Sequence, residues 1–348
     1  MNLYVLNPQY ETIGIVDYYS SIIWTRRYQD AGDFEIYISA TPEVIVLLKE
    51  DNIVMRDDDD MLCVIETVTL STDEENGDYL TVSGRSIESL LDRRIVWEQT
   101  TLNSTTEAAI RKLIIENAIS PQDTNRTIPH LTLGTSNNFT ETIRMQITGD
   151  SLLEAVKNIC ITYEYGFKVT LENGNLVFNI YKGTDRSTGQ NENPFVSFSP
   201  SFDNLVSSEY AYDKTPLKNV VLVAGEGEGK NRKKQSVGTA TGLNRREVYV
   251  DARDISSNNG EISTTEYNAL LVDRGKQTLS ESVETTAFSG EIGNTQLYVY
   301  KTHFFVGDIV QIENEYGITA TARISEVIEC EDENGTTCLP TFSNWEVQ

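Results

Sequence analysis

The residues able to do chemistry are few, and they are badly spaced for it. His130 and His303 are the only histidines. Ile128 and Leu131 flank the first, and Phe304 and Phe305 follow the second. A Ser-His-Asp or Cys-His relay needs one of them beside a nucleophile, and no G-x-S-x-G elbow is present. A zinc site needs two or three His or Cys ligands at close spacing, which the chain lacks. Both histidines read as structural. The stretch Ala224-Gly225-Glu226-Gly227-Glu228-Gly229-Lys230-Asn231 imitates a phosphate loop but fails at both ends. Ala224 stands where that loop needs Gly, Asn231 stands where it needs Ser or Thr, and Glu226 and Glu228 repel phosphate. A strand rather than a helix is expected to follow, so a dinucleotide loop fails as well. Gly225, Gly227 and Gly229 read as backbone geometry that ends a strand over 219–224, with no nucleotide bound.

The run Asp57-Asp58-Asp59-Asp60 invites a calcium reading. An EF-hand starting at Asp57 would place Met61 at a ligand position and Leu62 at the obligatory glycine, so that motif is excluded. Four like charges between two strands read as a solvated turn, with adventitious calcium the minor alternative. With 53 acidic residues a glycosidase carboxylate pair is conceivable, but nothing singles one out. The four cysteines, Cys63, Cys160, Cys330 and Cys338, are too few for a disulfide framework in 348 residues. A two-residue turn at Asn334-Gly335 would set Cys330 opposite Leu339, so Cys330 and Cys338 miss each other by one position. All four are expected to be reduced. No catalytic, cofactor or metal site is expected.

Charge narrows the partners. The formal net charge is −25, from 28 basic and 53 acidic residues. Such a surface repels phosphate, which excludes tight non-specific binding to nucleic acid and disfavours anionic membranes. The longest apolar runs, 44–48 and 220–224, are far short of a membrane span, and the N-terminus shows no signal-peptide pattern. One island reverses the sign: Lys230, Arg232, Lys233 and Lys234, with Arg245 and Arg246 beyond. No aromatic lies between Gly225 and Glu247, so the island does not read as a nucleic-acid patch. It reads as a flexible loop or as a contact with an acidic neighbouring subunit.

The elements that position these residues are mostly strands. Strand signals cover 14–20, 21–28, 33–39, 52–56, 61–70 and 79–83, with an Asn76-Gly77 hairpin turn and a short helix over 43–50 capped by Thr41 and opened by Pro42. A helix is expected over 86–94. The period then changes: Ile110, Leu113, Ile114 and Ala118 mark one helix and 151–163 a second, followed by a hairpin at Asn173-Gly174. Residues 184–194 read as a loop. Strands are expected at 195–198, 204–212, 219–224, 245–252, 283–292, 296–300, 309–313, 317–329 and 338–342, with a helix over 264–280. The fold class is mainly β with an α+β insertion.

Several motifs together resemble the tail-tip hub proteins (Tal-type, baseplate-hub-like) of siphophages and prophages of Gram-positive bacteria. They are 17–24 with Trp24, then 27–35; Val82-Ser83-Gly84-Arg85-Ser86; 219–229; Arg245-Arg246-Glu247; and Val306-Gly307-Asp308. They follow the family order across nearly the whole chain. The resemblance implies two tail-tube-like β-barrel domains plus smaller α+β domains. These are residues 1–100, with strands near 196–224 available to them; an α+β insertion at 101–195; and 196–348 with the helix 264–280. It also implies structural roles for Trp24, Gly84, Arg85, Gly225, Gly227, Gly229, Arg245, Arg246, Gly307 and Asp308.

For function, the resemblance implies a non-enzymatic hub at the virion tail tip, made in the bacterial host cytoplasm. A homotrimeric ring would join the tail tube to the distal tip, contact distal tail, tube and tip or fibre components, and let DNA pass without tight binding. The chain stops soon after its last barrel strands, where larger relatives carry a hydrolase or fibre domain. Two alternatives stand beside this reading: a carbohydrate- or receptor-binding tail module and, less favoured, a cell-wall hydrolase.

Overall fold

The computed structural model describes residues 2–73, 77–205, 207–291, 297–317 and 319–347. Its first seven strands are β1 (Leu3–Leu6), β2 (Thr12–Val16), β3 (Ser21–Arg27), β4 (Asp33–Ser39), β5 (Ile53–Arg56), β6 (Leu62–Asp73) and β7 (Gly77–Ser86). They pair antiparallel in the order β3-β4-β7-β6-β5-β1-β2. Alternation sets the faces. In β4, Phe34, Ile36 and Ile38 point into a core with Leu3, Val5, Trp24, Leu80 and Val82. The opposite face shows Ile23, Glu35, Tyr37, Thr81, Ser83, Thr67 and Thr69. Helix α1 (Pro42–Leu47) starts as expected, with Thr41 Oγ1 accepting from the Val44 amide. The 86–94 segment is a 3₁₀ helix, Ile87–Arg93, rather than an α-helix.

The next elements are β8 (Thr100–Thr105), α2 (Thr106–Ile114), β9 (Leu131–Leu133), β10 (Thr142–Ile147), α3 (Leu152–Tyr163), β11 (Gly166–Glu172) and β12 (Asn175–Tyr181). Strand β10 pairs with β8, and β12 pairs antiparallel with β11 and parallel with β9. The Asn173-Gly174 turn has φ of 52° and 78°, the left-handed pair that a type I′ hairpin requires. The core of this unit, with Ile110, Leu113, Val156, Phe167 and Phe178, continues into Leu6, Ile53, Leu62 and Val64. The insertion therefore sits on the β1-β5-β6 end of the sheet face opposite the Trp24 core.

The remaining strands are β13 (Ser197–Phe198), β14 (Ser207–Asp213), β15 (Val220–Ala224), β16 (Lys234–Val237), β17 (Glu247–Asp251), β18 (Thr285–Glu291), β19 (Ile309–Glu313), β20 (Thr319–Asp332) and β21 (Gly335–Val347). Strands β16-β15-β17 form a small sheet, covered by α4 (Thr264–Glu281) through Tyr267, Leu270 and Leu271. The first part of β20 pairs with β19, and its second part pairs with β3 from Glu326↔Arg27 to Asp332↔Ser21. One strand thus joins the two ends of the chain in a single sheet.

Several expectations change here. The neighbour gained by the N-terminal sheet is β20, not a strand from 196–224; those strands pair with β16, β17, β18 and β19 instead. Among the described residues the main sheet follows an open path from β14 to β2, not a closed barrel. Gln296 and Asn76 lie outside the described residues, and 297–298 form a turn rather than a strand. The last hairpin turns at Glu333-Asn334, because Asp332 Oδ1 accepts from the Asn334 amide at 2.7 Å. Cys330 therefore faces Thr337 and Cys338 faces Glu329, a two-position slip that keeps the thiols one position apart.

Candidate functional site

The aspartate run is a solvated turn only in part: Asp57, Asp58 and Asp60 are exposed, but Asp59 is enclosed and the last three are paired with cations. It connects β5 to β6 and points into a junction where all parts of the chain meet. Arg56, its side chain 2% exposed, donates to both oxygens of Asp58 at 2.8 and 2.7 Å and to Glu329 of β20 at 3.1 Å. Asp59, its side chain 1% exposed, is paired with Arg26 of β3 and with the Lys301 ammonium at 2.7 Å. Lys301 also lies 2.8 Å from Glu329. Asp60 meets Arg26 at 2.5 Å and Lys168 of β11 at 2.9 Å. Asp58 and Asp60 keep about half of their side chains in solvent, and Asp57, also exposed, takes no part in these ion pairs and is held by the Asn2 amide at 3.1 Å.

Burial by itself would raise the pKa of Asp59, but the Arg26 and Lys301 charges overcome it and hold the carboxyl at about 2. The same contest, with Arg56 winning at Asp58 and Arg26 and Lys168 at Asp60, lowers both of those carboxyls. Cationic side chains fill the positions a calcium ion would need. Among the described residues no group of three or more His, Cys, Asp or Glu is placed to hold a metal. A cavity of about 510 Å³ opens beside this network, between Asp58–Asp60, Lys168, Lys182, Tyr300 and Asp308.

Tyr28, just past β3, anchors the other side of the junction. Its hydroxyl donates to the Glu164 carbonyl at 3.0 Å and accepts from the Gly183 amide at 3.1 Å, while its backbone N–H reaches the Ser325 carbonyl at 2.9 Å. Gly307 packs on the Tyr28 ring with φ of 97°, and a Cβ there would overlap a ring carbon. Arg323 stacks 5.2 Å from the ring centroid, donates to the Gly307 carbonyl at 2.8 Å and reaches Glu164 at 3.0 Å. Asp308 accepts from the Thr184 and Phe305 amides and from Arg186 Nε at 2.7 Å. The Val306-Gly307-Asp308 motif thus clamps the insertion to the C-terminal strands.

The other motif residues are scattered. Trp24 is buried, with the Arg56 guanidinium 5.8 Å from its ring centroid. Gly84 faces a bulge at Glu66, where a Cβ would collide with the Val64 carbonyl, and Arg85 pairs with Glu66 at 2.9 Å. Gly225 leaves room for the Tyr267 hydroxyl, which accepts from the Glu226 amide at 2.7 Å, while Gly227 and Gly229 take positive φ. Arg246 donates to the Lys214 carbonyl, and Arg245 pairs with Glu247 on the surface. The basic island is partly consumed at home: Arg232 pairs with Asp251, and Lys233 lies 4.4 Å from the Tyr267 ring centroid. Sequence reading held Tyr28 only as part of the 27–35 motif, with no role, and missed Arg56, Lys301 and Glu329, because an isolated Arg, Lys or Glu carries no local signature of a contact made hundreds of residues away.

Two β-rich units sharing one strand, with an α+β insertion clamped between them, make a fold shared with phage tail proteins. The fold is similar to the tail protein from Neisseria meningitidis MC58, at 16% identity and a TM-score of 0.61 over 98% of this chain and 96% of that one. It is similar to the 43 kDa tail protein of prophage MuSo2 from Shewanella oneidensis, at 14% identity and 0.61 over 98% of both chains. Prophage tail protein gp18 from Listeria monocytogenes EGD-e matches at 14% identity and 0.55 over 99% of this chain and 94% of that one. The chain itself belongs to the Siphovirus ReqiPepy6 Gp37-like protein family, whose model matches residues 2–343. No curated relative matches the sequence.

Proposed function

We propose that this phage tail protein is the hub at the tail tip, where three copies close a ring that joins the tail tube to the distal tip and encloses part of the DNA path. Each copy would contribute two tube-like β units, the β1–β7 sheet and the β13/β14/β18–β21 sheet, which join where β20 pairs with β3. Its role is structural, its partners are other tail proteins, and it is made in the host cytoplasm before joining the virion.

The observation that carries this reading is the solvent face of β3, β4, β7 and β6. Strand register puts Glu35, Tyr37, Thr81, Ser83, Thr67 and Thr69 side by side there, with Tyr37 stacked on Tyr79 at 4.6 Å. The arginines of these strands, Arg26, Arg27 and Arg85, are all engaged by carboxylates. Short hydroxyls and an acid give passing phosphates no cation to hold, so DNA would slide. Lys230 and Lys234, left outside the pairs formed by Arg232 and Lys233, would face an acidic tail partner.

The test is a reconstruction of the assembled tail together with light scattering of the isolated chain over a concentration series. The reading expects a three-fold ring with this face toward the lumen. A stable symmetric dimer as the only assembled species, or this face turned outward, overturns it.

A further inference from the structure

Trp97 is the most exposed tryptophan whose side chain is described, at 60% relative exposure. Leaving an indole in water forfeits much of its burial free energy, and here the ring is also held in place. The Trp97 backbone N–H donates to Asn117 Oδ1 at 3.1 Å, and the Arg126 guanidinium carbon lies 5.0 Å from the indole centroid. Arg126 is itself fixed by donation to the Ile95 carbonyl at 2.6 Å. One indole face is therefore covered by a pinned cation, and the exposed remainder borders a groove of about 700 Å³. Along the groove stand Glu98, Gln122 and Asp123, all exposed. Glu98 and Gln122 are exposed on the groove, which leaves their carboxylate and amide within reach of a ligand.

We infer that this groove on the insertion unit binds a pyranose oligosaccharide. A pyranose ring has a flat face of C–H groups that stacks on an indole, and equatorial hydroxyls that both donate and accept. Carboxylate and amide side chains around one rigid aromatic plane match those two needs together. A nucleic acid would also stack, but of the groove's two cations Lys112 is paired with Glu116 and Arg126 is held over the indole, so its phosphates would meet Glu98, Asp123 and a net charge of −25. The inference goes beyond the hub reading: it adds a glycan-contacting activity on the insertion unit and does not depend on ring closure.

The probes are chitotetraose, cellotetraose and maltotetraose, which share the pyranose C–H face and differ in substituent and linkage. Saturation-transfer NMR and calorimetry on the full chain should show at least one binding, with saturation strongest on ring C–H protons. Trp97→Ala should weaken that binding at least tenfold, and Trp97→Phe should restore part of it, while circular dichroism and light scattering stay at wild type. Failure of all three sugars to bind the wild-type chain overturns the inference, as does equal binding by the Trp97→Ala variant. Sugar binding without any trimer would instead count against the hub and leave the groove standing.

Discussion

Replacing Asp59 by Asn removes the one carboxylate of the aspartate run that is almost wholly buried, and leaves Arg26 and Lys301 facing a neutral amide. The pKa of Asp59 falls from 3.8 to about 2 on folding, and nearly two units at about 1.4 kcal/mol each make its ionised form worth about 2–3 kcal/mol. Stranding two partly buried cations adds to this, since breaking a buried pair costs about 3–5 kcal/mol and the cations here keep some solvent. The expected loss for Asp59→Asn is about 2–4 kcal/mol. Urea unfolding followed by tryptophan fluorescence is a suitable assay, because Trp24 lies beside Arg56 in the same network. Asp57→Asn is the internal control: Asp57 is exposed and its carboxylate meets only the Asn2 amide, so its change should stay within about 0.5 kcal/mol. The pH dependence has a definite direction. Because the folded-state pKa is depressed, the stabilisation is complete above about pH 4 and is lost as pH falls through 2. The Asp59→Asn variant should lack that acid-dependent component. Equal effects at positions 57 and 59, or a loss below about 0.5 kcal/mol at position 59, would refute the buried-junction argument.

Three further outcomes are expected. Gly307→Ala should destabilise by roughly 2 kcal/mol or more, since it adds left-handed backbone strain to a Cβ that overlaps the Tyr28 ring; thermal melts would register it. Ellman titration of the native chain near pH 8 should leave Cys63 and Cys160 silent, because burial raises both thiols, and should find all four thiols only in denaturant; two missing thiols after unfolding would reveal a disulfide. Glu35→Lys with Ser83→Lys should convert the hydroxyl-rich face into one that retains duplex DNA in filter binding at about 0.1 M salt, and an unchanged, DNA-free variant would argue that this face does not meet DNA.

Much of the architecture was legible locally. Thr41-Pro42 opened α1, Asn173-Gly174 turned the β11–β12 hairpin, and the alternation of 33–39 and the helical stripe of 264–280 returned strand β4 and helix α4. Each of these rests on contacts within about four residues, so the residues that decide it are adjacent in the chain. Motif order across the chain also pointed to a siphovirus tail family, and the family match over 2–343 agrees. Identical neighbours were where local reading failed. Nothing in Asp57-Asp58-Asp59-Asp60 distinguishes the carboxylate exposed beside Asn2 from the one enclosed by Arg26 and Lys301. Nothing near Trp24 or Trp97 says that one enters the core and the other lines an open groove. The pairing of β3 with β20 joins residues some three hundred positions apart, as in the Arg27 to Glu326 ion pair at 2.6 Å. A strand's own residues set which face is apolar, but its neighbour is chosen by which edge remains unpaired once the rest has packed. Sequence determined the elements and their buried faces; the partner of β3, the enclosure of Asp59 and the clamp at Tyr28 and Gly307 were decided by the tertiary structure, because only there do distant residues compete for the same site.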